Sequence, residues 1–312
     1  MPHASPQPLA LAVDIGGTKV DAALVFADGT IRTASRHRVE TGSTATRDEL
    51  TSALDAAVTT ALAALTPEDT LIGVGIGSAG PISLTDNSIS PLNLPQLARF
   101  GVSDFVQHRV GATPVTLRLD GTCIALAEHW LGATRDAKNS MAMVVSTGVG
   151  SGIILAGHVL AGDSGNAGHI GQLQLAAREP GQTSAASSLE QLAAGPYTVA
   201  WAQSQGWVGS TGEDLATDYA ASVPVAIAAV RRSATAVGEA VASVASLLDL
   251  RHVAIGGGFV NVAPDYIDLV LATIHECAVL DYARAVTVTR SGLSGDGPLI
   301  GASALVHRRD LL

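Results

Sequence analysis

The chain has 312 residues, room for two domains of ordinary size; 47% are apolar, only 4% aromatic, and the formal net charge is −10. That balance excludes a general electrostatic attraction to nucleic acid or to an anionic membrane, so any bound phosphate must be held locally by backbone amides and a metal ion. The scarcity of aromatics argues against a stacking platform for single strands. The only two cysteines, Cys123 and Cys277, are far apart and in no metal-ligand spacing, which excludes a disulfide framework and favours a cytoplasmic location.

Met1 to Pro8 forms a short polar lead, and the apolar run after it is interrupted by Asp14, so neither a signal peptide nor a membrane span is expected there. Leu9–Ile15 predicts a buried strand and Val20–Ala27 a second, joined by a glycine-rich turn. Asp28-Gly29 predicts a hairpin turn into a third strand, Thr30–Val39. Arg47–Leu65 has helical spacing, with Leu50, Leu54, Val58, Leu62 and Leu65 on one face. Leu71–Gly77 predicts a strand, followed by a loop rich in Pro, Ser and Asn from Gly80 to about Pro95. Val115–Leu119 predicts a strand that delivers Asp120 to its end, and Thr122–Leu131 a helix. At Met141–Ser146 the opening pattern returns: a strand, the turn Thr147-Gly148-Val149-Gly150-Ser151-Gly152, and a second strand, Ile153–Ala156. The repeat points to an internal duplication and two related lobes. Helices are expected at Ser188–Gln203, Pro224–Leu248 and Pro264–Val279. A short strand, His252–Ile255, ends in Gly256-Gly257-Gly258, and a last helix begins near Pro298.

The turn Asp14-Ile15-Gly16-Gly17-Thr18-Lys19 carries the sharpest local chemistry. Two glycines let backbone amides approach a phosphate, Thr18 adds a hydroxyl donor, and Asp14 can hold the water shell of Mg²⁺. A plain hairpin turn would also use Gly-Gly, but would not call for an acid at the end of an apolar strand. No Walker A spacing occurs, and Gly148-x-Gly150-x-Gly152 leads into a strand rather than a helix, so it is not a dinucleotide fingerprint. Asp120 stands at the expected N-cap of the next helix, where capping and catalysis are equally good local explanations. The helix N-terminus would also keep its carboxylate ionised, as a base in phosphoryl transfer requires.

Taken together these motifs resemble the ROK family of sugar kinases and repressors, over nearly the whole chain. Asp14–Lys19 is similar to the family's D-x-G-G-T-K, Gly77–Pro81 to its G-x-x-G-P loop, and Asn93-Leu94-Pro95 to its N-L-P segment. Thr147–Gly152 resembles its second phosphate turn, and Gly256, Gly257 and Gly258 the turn that supports adenosine. The resemblance implies an α/β, two-lobed actin-like ATPase (ribonuclease H-like) fold with mixed sheets flanked by helices and an interlobe cleft. Residues 1–121 with 297–312 would form one lobe and 122–296 the other, the final helix crossing back to the first. It implies Asp120 as catalytic base, and ATP with Mg²⁺ bound through Asp14, Gly16, Gly17, Thr18, Lys19, Thr147, Gly148 and Gly256–Gly258. Acceptor contacts would come from Gly80, Asn93, His169, Gln172 and Glu190. A homodimer is also implied. No helix-turn-helix precedes Asp14, which sets the repressor branch and nucleic acid aside as expectations.

Departures from the family cluster around the acceptor. The Asn before the catalytic Asp is Leu119; the G-E-x-G-H segment is Gly168-His169-Ile170-Gly171-Gln172; and the cysteine-rich segment is Thr183 through Ser188 without a cysteine. The ligands of the zinc site found in many members are therefore missing, and no zinc is expected. Losing polar partners at about 1–3 kcal/mol for each hydroxyl left unpaired predicts an atypical acceptor, such as a C7-cyclitol or modified hexose. An ordinary hexose or N-acetylhexosamine is the conservative alternative, and a catalytically weak sugar- or nucleotide-sensing protein another. The lesser alternative for His169 is a satisfied, partly buried histidine with no ligand role.

Overall fold

A computed structural model describes residues 7–42, 44–175 and 187–312. In chain order the elements are β1 (Gln7–Ile15), β2 (Lys19–Phe26), β3 (His37–Glu40), α1 (Arg47–Ala63), β4 (Asp69–Ser78), β5 (Ile82–Ser83), β6 (Ser88–Ile89), α2 (Val102–Val110), β7 (Val115–Leu119), α3 (Asp120–Trp130), β8 (Ser140–Val145) and β9 (Val149–Leu155). There follow β10 (His158–Val159), α4 (Leu189–Ala193), α5 (Gly195–Ser204), α6 (Gly212–Ala220), α7 (Pro224–Leu248), β11 (His252–Gly256), α8 (Tyr266–Cys277), α9 (Asp281–Arg284), β12 (Thr287–Arg290) and α10 (Gly297–His307). Two compact units result. The first holds Met1–Gly132, His158–Gly168 and Gly295–Leu312, and the second Ala133–Gly157 and His169–Ser294.

In the first unit a mixed sheet has the order β3-β2-β1-β4-β7, with β1–β2 and β2–β3 antiparallel and β1–β4 and β4–β7 parallel. In the second unit β9-β8-β11-β12 repeats the scheme: β8–β9 is antiparallel, and β8–β11 and β11–β12 are parallel. The duplicated strand–turn–strand pattern of the sequence is thus a duplicated sheet plan.

The core of the first unit turns on missing side chains. Along β4, Gly73, Gly75 and Gly77 share one face, since alternate residues of a strand point the same way. A β-carbon at Gly73 would meet the Val306 side chain, one at Gly75 would strike the Ala302 carbonyl, and one at Gly77 would lie 3.0 Å from Cys123 Sγ. On α10, Gly301 does the same against the Cys123 carbonyl of α3. Backbone therefore rests on backbone, and α10 is almost wholly buried from Gly297 to Val306. Opposite it, α1 presents Leu50, Leu54, Ala57, Val58 and Ala61 to the sheet, its start fixed by a capping box between Thr46 and Glu49.

Several expectations need correction. The third strand shrinks to His37–Glu40 because Thr33–Ser35 forms a 3₁₀ turn. Ser35 Oγ donates to the Arg32 carbonyl and accepts the Leu24 N–H at 2.8 Å, standing in for a strand carbonyl. The helix expected over Ser188–Gln203 is two helices, broken at Ala194, whose ψ is 147°. Pro196 has no N–H to give to the Leu192 carbonyl four residues back. Arg232 donates to that carbonyl at 2.8 Å, and Ser233 Oγ to the Ala193 carbonyl at 2.8 Å. Helices α2 and α6 carry no expectation from the sequence; each is nine residues long, and α6 buries only Leu215. The division expected at Gly121 would cut α3, whereas the first unit keeps all of α3 because it packs under α10 on β4.

Adding one methyl where backbone meets backbone tests this packing. Gly75→Ala should lower stability by about 2–3 kcal/mol, the cost of an overpacked core. Urea denaturation is the measurement, and a variant within 0.5 kcal/mol of wild type (about the scatter of a neutral surface change) would contradict the stacking.

Candidate active site

The parallel strands β1, β4 and β7 end together, at Ile15, Ser78 and Leu119, and the candidate residues of the first unit gather there. Gly16 N–H donates to the Lys19 carbonyl at 3.0 Å, closing the first turn. The Thr18 carbonyl accepts from the N–H groups of Thr41 and Gly42, at 2.8 and 3.2 Å. Ala79 N–H donates to Ile15 O at 3.0 Å, which brings Gly80 against the turn, and Leu92 N–H donates to Gly80 O at 3.1 Å. The Gly80–Pro81 peptide is cis. A β-carbon on Gly17 would run into Nδ2 of the exposed Asn93 side chain, so the first turn and Asn93 lie in close contact.

Asp120 is placed by Gly77. Without a β-carbon on Gly77, whose ideal position lies 3.7 Å from Asp120 Cα, the α3 N-terminus settles onto the end of β4. Asp120 is the first residue of α3 rather than its N-cap, which is Leu119 and makes no side-chain capping bond. Its Oδ1 accepts the Gly121 N–H at 2.7 Å. The expected N-cap position is therefore off by one residue, while the side chain still takes a first-turn amide at a helix N-terminus, where a carboxylate is favoured. Leu119 is buried in the core of the first unit.

Asp14 is buried, and its carboxyl is pushed up to about 7 from the ordinary 3.8. Burial is the main cause, and the negative charge of Asp120 adds to it; Lys19 acts in the opposite direction. Asp21 stands directly across from Asp14 in the β1–β2 ladder and is itself buried. Two arginines hold it: Arg36 Nη2 at 2.8 Å and Arg38 Nη2 at 2.7 Å. Arg36 continues to Asp296 at 2.7 Å, just before α10. Buried carboxylates at the mouth of a glycine turn are hard oxygen donors suited to a divalent cation held partly through water.

The second unit builds around the other turn. Ser146 N–H donates to Gly148 O at 2.9 Å, and Gly195 N–H, at the helix break, donates to Ser146 O at 2.8 Å. Thr147 is exposed at the tip. Glu190, in the first turn of α4, accepts the Val149 N–H on Oε2 at 3.1 Å. Gly171 lies against the Val149 carbonyl and the Glu190 β-carbon, so the segment His169–Gln172 is pinned to the same turn. Gln172 N–H donates to His169 O at 3.1 Å; His169 is half-buried and the Gln172 side chain exposed. Gly257, at φ 102°, packs on the Val145 carbonyl, and Gly258 lies near Ser146 Oγ, bringing Gly256–Gly258 alongside.

Sequence reasoning missed three supports. Asn166 exchanges hydrogen bonds with Ile82 N–H (2.8 Å) and Ile82 O (2.7 Å), fixing the loop that carries Asn93. Arg290 donates to Val260 O, Asn261 Oδ1, Ala263 O and Pro264 O at 3.0–3.3 Å, holding the segment after Gly258. The Asp21–Arg36–Arg38 cluster is the third; alternation of charge on β2 and β3 was the available signal. Of the segment Thr183 through Ser188, residues 183–186 lie outside the described residues. Among the described residues no group of three or more His, Cys, Asp or Glu is placed to hold a metal. No helix among them is long and apolar enough to cross a membrane.

Two glycine turns on duplicated mixed sheets flanked by helices are the plan of the two-lobed actin-like ATPase fold. The model of the ROK family matches residues 10–309, and the chain belongs to that family, as a phosphotransferase of the ROK kinase type. It is 30% identical over 305 residues to N-acetylmannosamine kinase of Shigella boydii serotype 18, covering 96% of this chain and 99% of that one. Among solved structures it is similar to the ROK hexokinase of Thermus thermophilus, with a TM-score of 0.80 and 28% identity over 97% of this chain and 99% of that one. It is also similar to a ROK family glucokinase of Streptomyces griseus in complex with glucose and AMPPNP. There the TM-score is 0.81, with 25% identity over 96% and 99% of the two chains.

The Asp14 carboxyl holds its proton to a higher pH in the folded protein than in the unfolded chain. Between about pH 4 and 7 the folded protein keeps a proton that the unfolded chain has released, so stability falls as pH rises through that window. The contribution is fully present below pH 3.8, lost by pH 7, and amounts to about 4 kcal/mol at most. Asp14→Asn should remove this slope and, without ligand, be more stable than wild type at pH 8. Denaturant titrations from pH 5 to 8 check it; parallel profiles for the two proteins would refute it.

Proposed function

We propose that the protein transfers the terminal phosphate of ATP, with Mg²⁺, to a hydroxyl of an ordinary hexose or N-acetylhexosamine, Asp120 acting as general base. The observation that carries the proposal is the seat of Asp120: a carboxylate at a helix N-terminus, at the strand ends that also present the first glycine turn and Asp14. A base in that position accepts the proton of the acceptor hydroxyl as its oxygen attacks phosphorus. Gly16, Gly17, Thr18, Lys19, Thr147 and Gly148 are the candidates to cradle phosphate, and Gly256–Gly258 to support the nucleoside. Mg²⁺, held through water at Asp14, would neutralise phosphate charge. Gly80, Asn93, His169, Gln172 and Glu190 are the candidate acceptor contacts.

On the acceptor, the relatives favour the conservative alternative over a C7-cyclitol, since they are N-acetylmannosamine kinases, a hexokinase and a glucokinase. The argument for a cyclitol leaned on Leu119, and that side chain is occupied in core packing. N-acetylmannosamine, glucose and mannose are therefore the first acceptors to try.

Incubation of each sugar, and of a cyclitol, with MgATP and phosphorus NMR of the products tests the reading. One sugar phosphate should form, and Asp120→Ala should lower kcat by about 10³-fold while nucleotide affinity stays within about twofold. Turnover unchanged in that variant would remove Asp120 from the role. A lack of transfer to every acceptor would remove the kinase reading.

A further inference from the structure

In each unit an acceptor-side residue occupies the space that a glycine of the phosphate turn leaves open. Asn93 Nδ2 fills the place of a β-carbon on Gly17, and Glu190 Oε2 lies 2.9 Å from that of Gly148. In the second unit the contact is also a hydrogen bond, from Val149 N–H to Glu190 Oε2 at 3.1 Å. Oε1 of the same carboxylate takes no hydrogen bond among the described residues. Glu190 is itself well placed to act as a strut. It sits in the first turn of α4, whose start is capped by Ser188 Oγ, and Gly171 packs against its β-carbon.

We propose that Glu190 is a positioning residue for the nucleotide: Oε2 fixes Val149 N–H and with it the second phosphate turn, and Oε1 is left for an acceptor hydroxyl. The second half rests on the reading of Glu190 as an acceptor contact; the first half does not. One side chain then serves both ligands.

The test is a calorimetric titration of acceptor-free protein with AMPPNP and Mg²⁺, using wild type, Glu190→Ala and Glu190→Gln. Loss of one hydrogen bond to the turn should weaken binding about fivefold in the alanine variant. The glutamine variant keeps an oxygen that accepts Val149 N–H and should stay within about twofold of wild type, though its KM for the sugar rises. A residue that only reads the acceptor would move neither nucleotide affinity. The proposal is overturned by wild-type affinity in Glu190→Ala, by equal weakening in Glu190→Gln, or by a wild type that does not bind AMPPNP. Should the alanine variant not fold, Glu190→Gln against Glu190→Asp carries the test. The first keeps the accepting atom in place, the second withdraws it, and equal affinities overturn the proposal. A wild type that binds AMPPNP but phosphorylates no sugar would sink the functional reading and leave this titration intact.

Discussion

Close approach of backbone to backbone, where α10 and α3 settle on β4, is the constraint on which the first unit depends. Gly73, Gly75 and Gly77 on the strand and Gly301 on α10 remove the side chains that would otherwise hold these layers apart. Stacked sheets and helices normally keep their distance through side chains; here the carbonyls of Ala302 and Cys123 take that place. The result is a stack without slack, because an interior at crystal-like density cannot absorb an added methyl. Its functional yield is positional. The seat of α3 on Gly77 fixes Asp120, and the same sheet ends fix Asp14 and the first turn.

Charge is handled around that stack with similar economy. Asp14 is buried beside Asp120, and Asp21 lies opposite it in the ladder, so three carboxylates share one end of a sheet. Arg36 and Arg38 answer Asp21 directly, while the buried Asp14 is left to the charges of Asp120, which raises its pKa, and of Lys19, which lowers it. In the second unit the corresponding turn is held by hydrogen bonds from outside it: Gly195 at the α4–α5 break and Glu190 from α4. Pro196 thus does more than interrupt a helix, since the break it enforces aims the Gly195 amide at Ser146.

Much of this was legible in the chain. Apolar runs ending in Asp or Gly located β1, β4, β7, β8 and β11, and the repeated strand–turn–strand pattern gave the duplicated sheet. Family motifs then assigned the turns and Asp120, which spacing alone left divided between capping and catalysis. What escaped has a common cause. Asn166 serves Ile82 across 84 residues, and Arg290 serves carbonyls 26 to 30 residues away, so no local pattern announces either. The glycines of β4 alternate visibly at 73, 75 and 77, yet only their distant partner α10 gives the alternation meaning. The third strand failed because a serine hydroxyl replaced a ladder carbonyl, an exchange that propensity does not register.

Cys123 lies inside the stack, fully covered between Gly77 and Gly301, and burial with the nearby charges of Asp14 and Asp120 pushes its thiol well above the ordinary range. Cys277 is exposed. A thiol with no access and almost no thiolate is inert to electrophiles. The folded chain therefore has one readily alkylatable thiol, and the second becomes reactive only when the packing of α3 on β4 opens. The buried cysteine is a built-in clock for the opening of that stack, readable by pulsed alkylation and mass spectrometry without a label or a mutation.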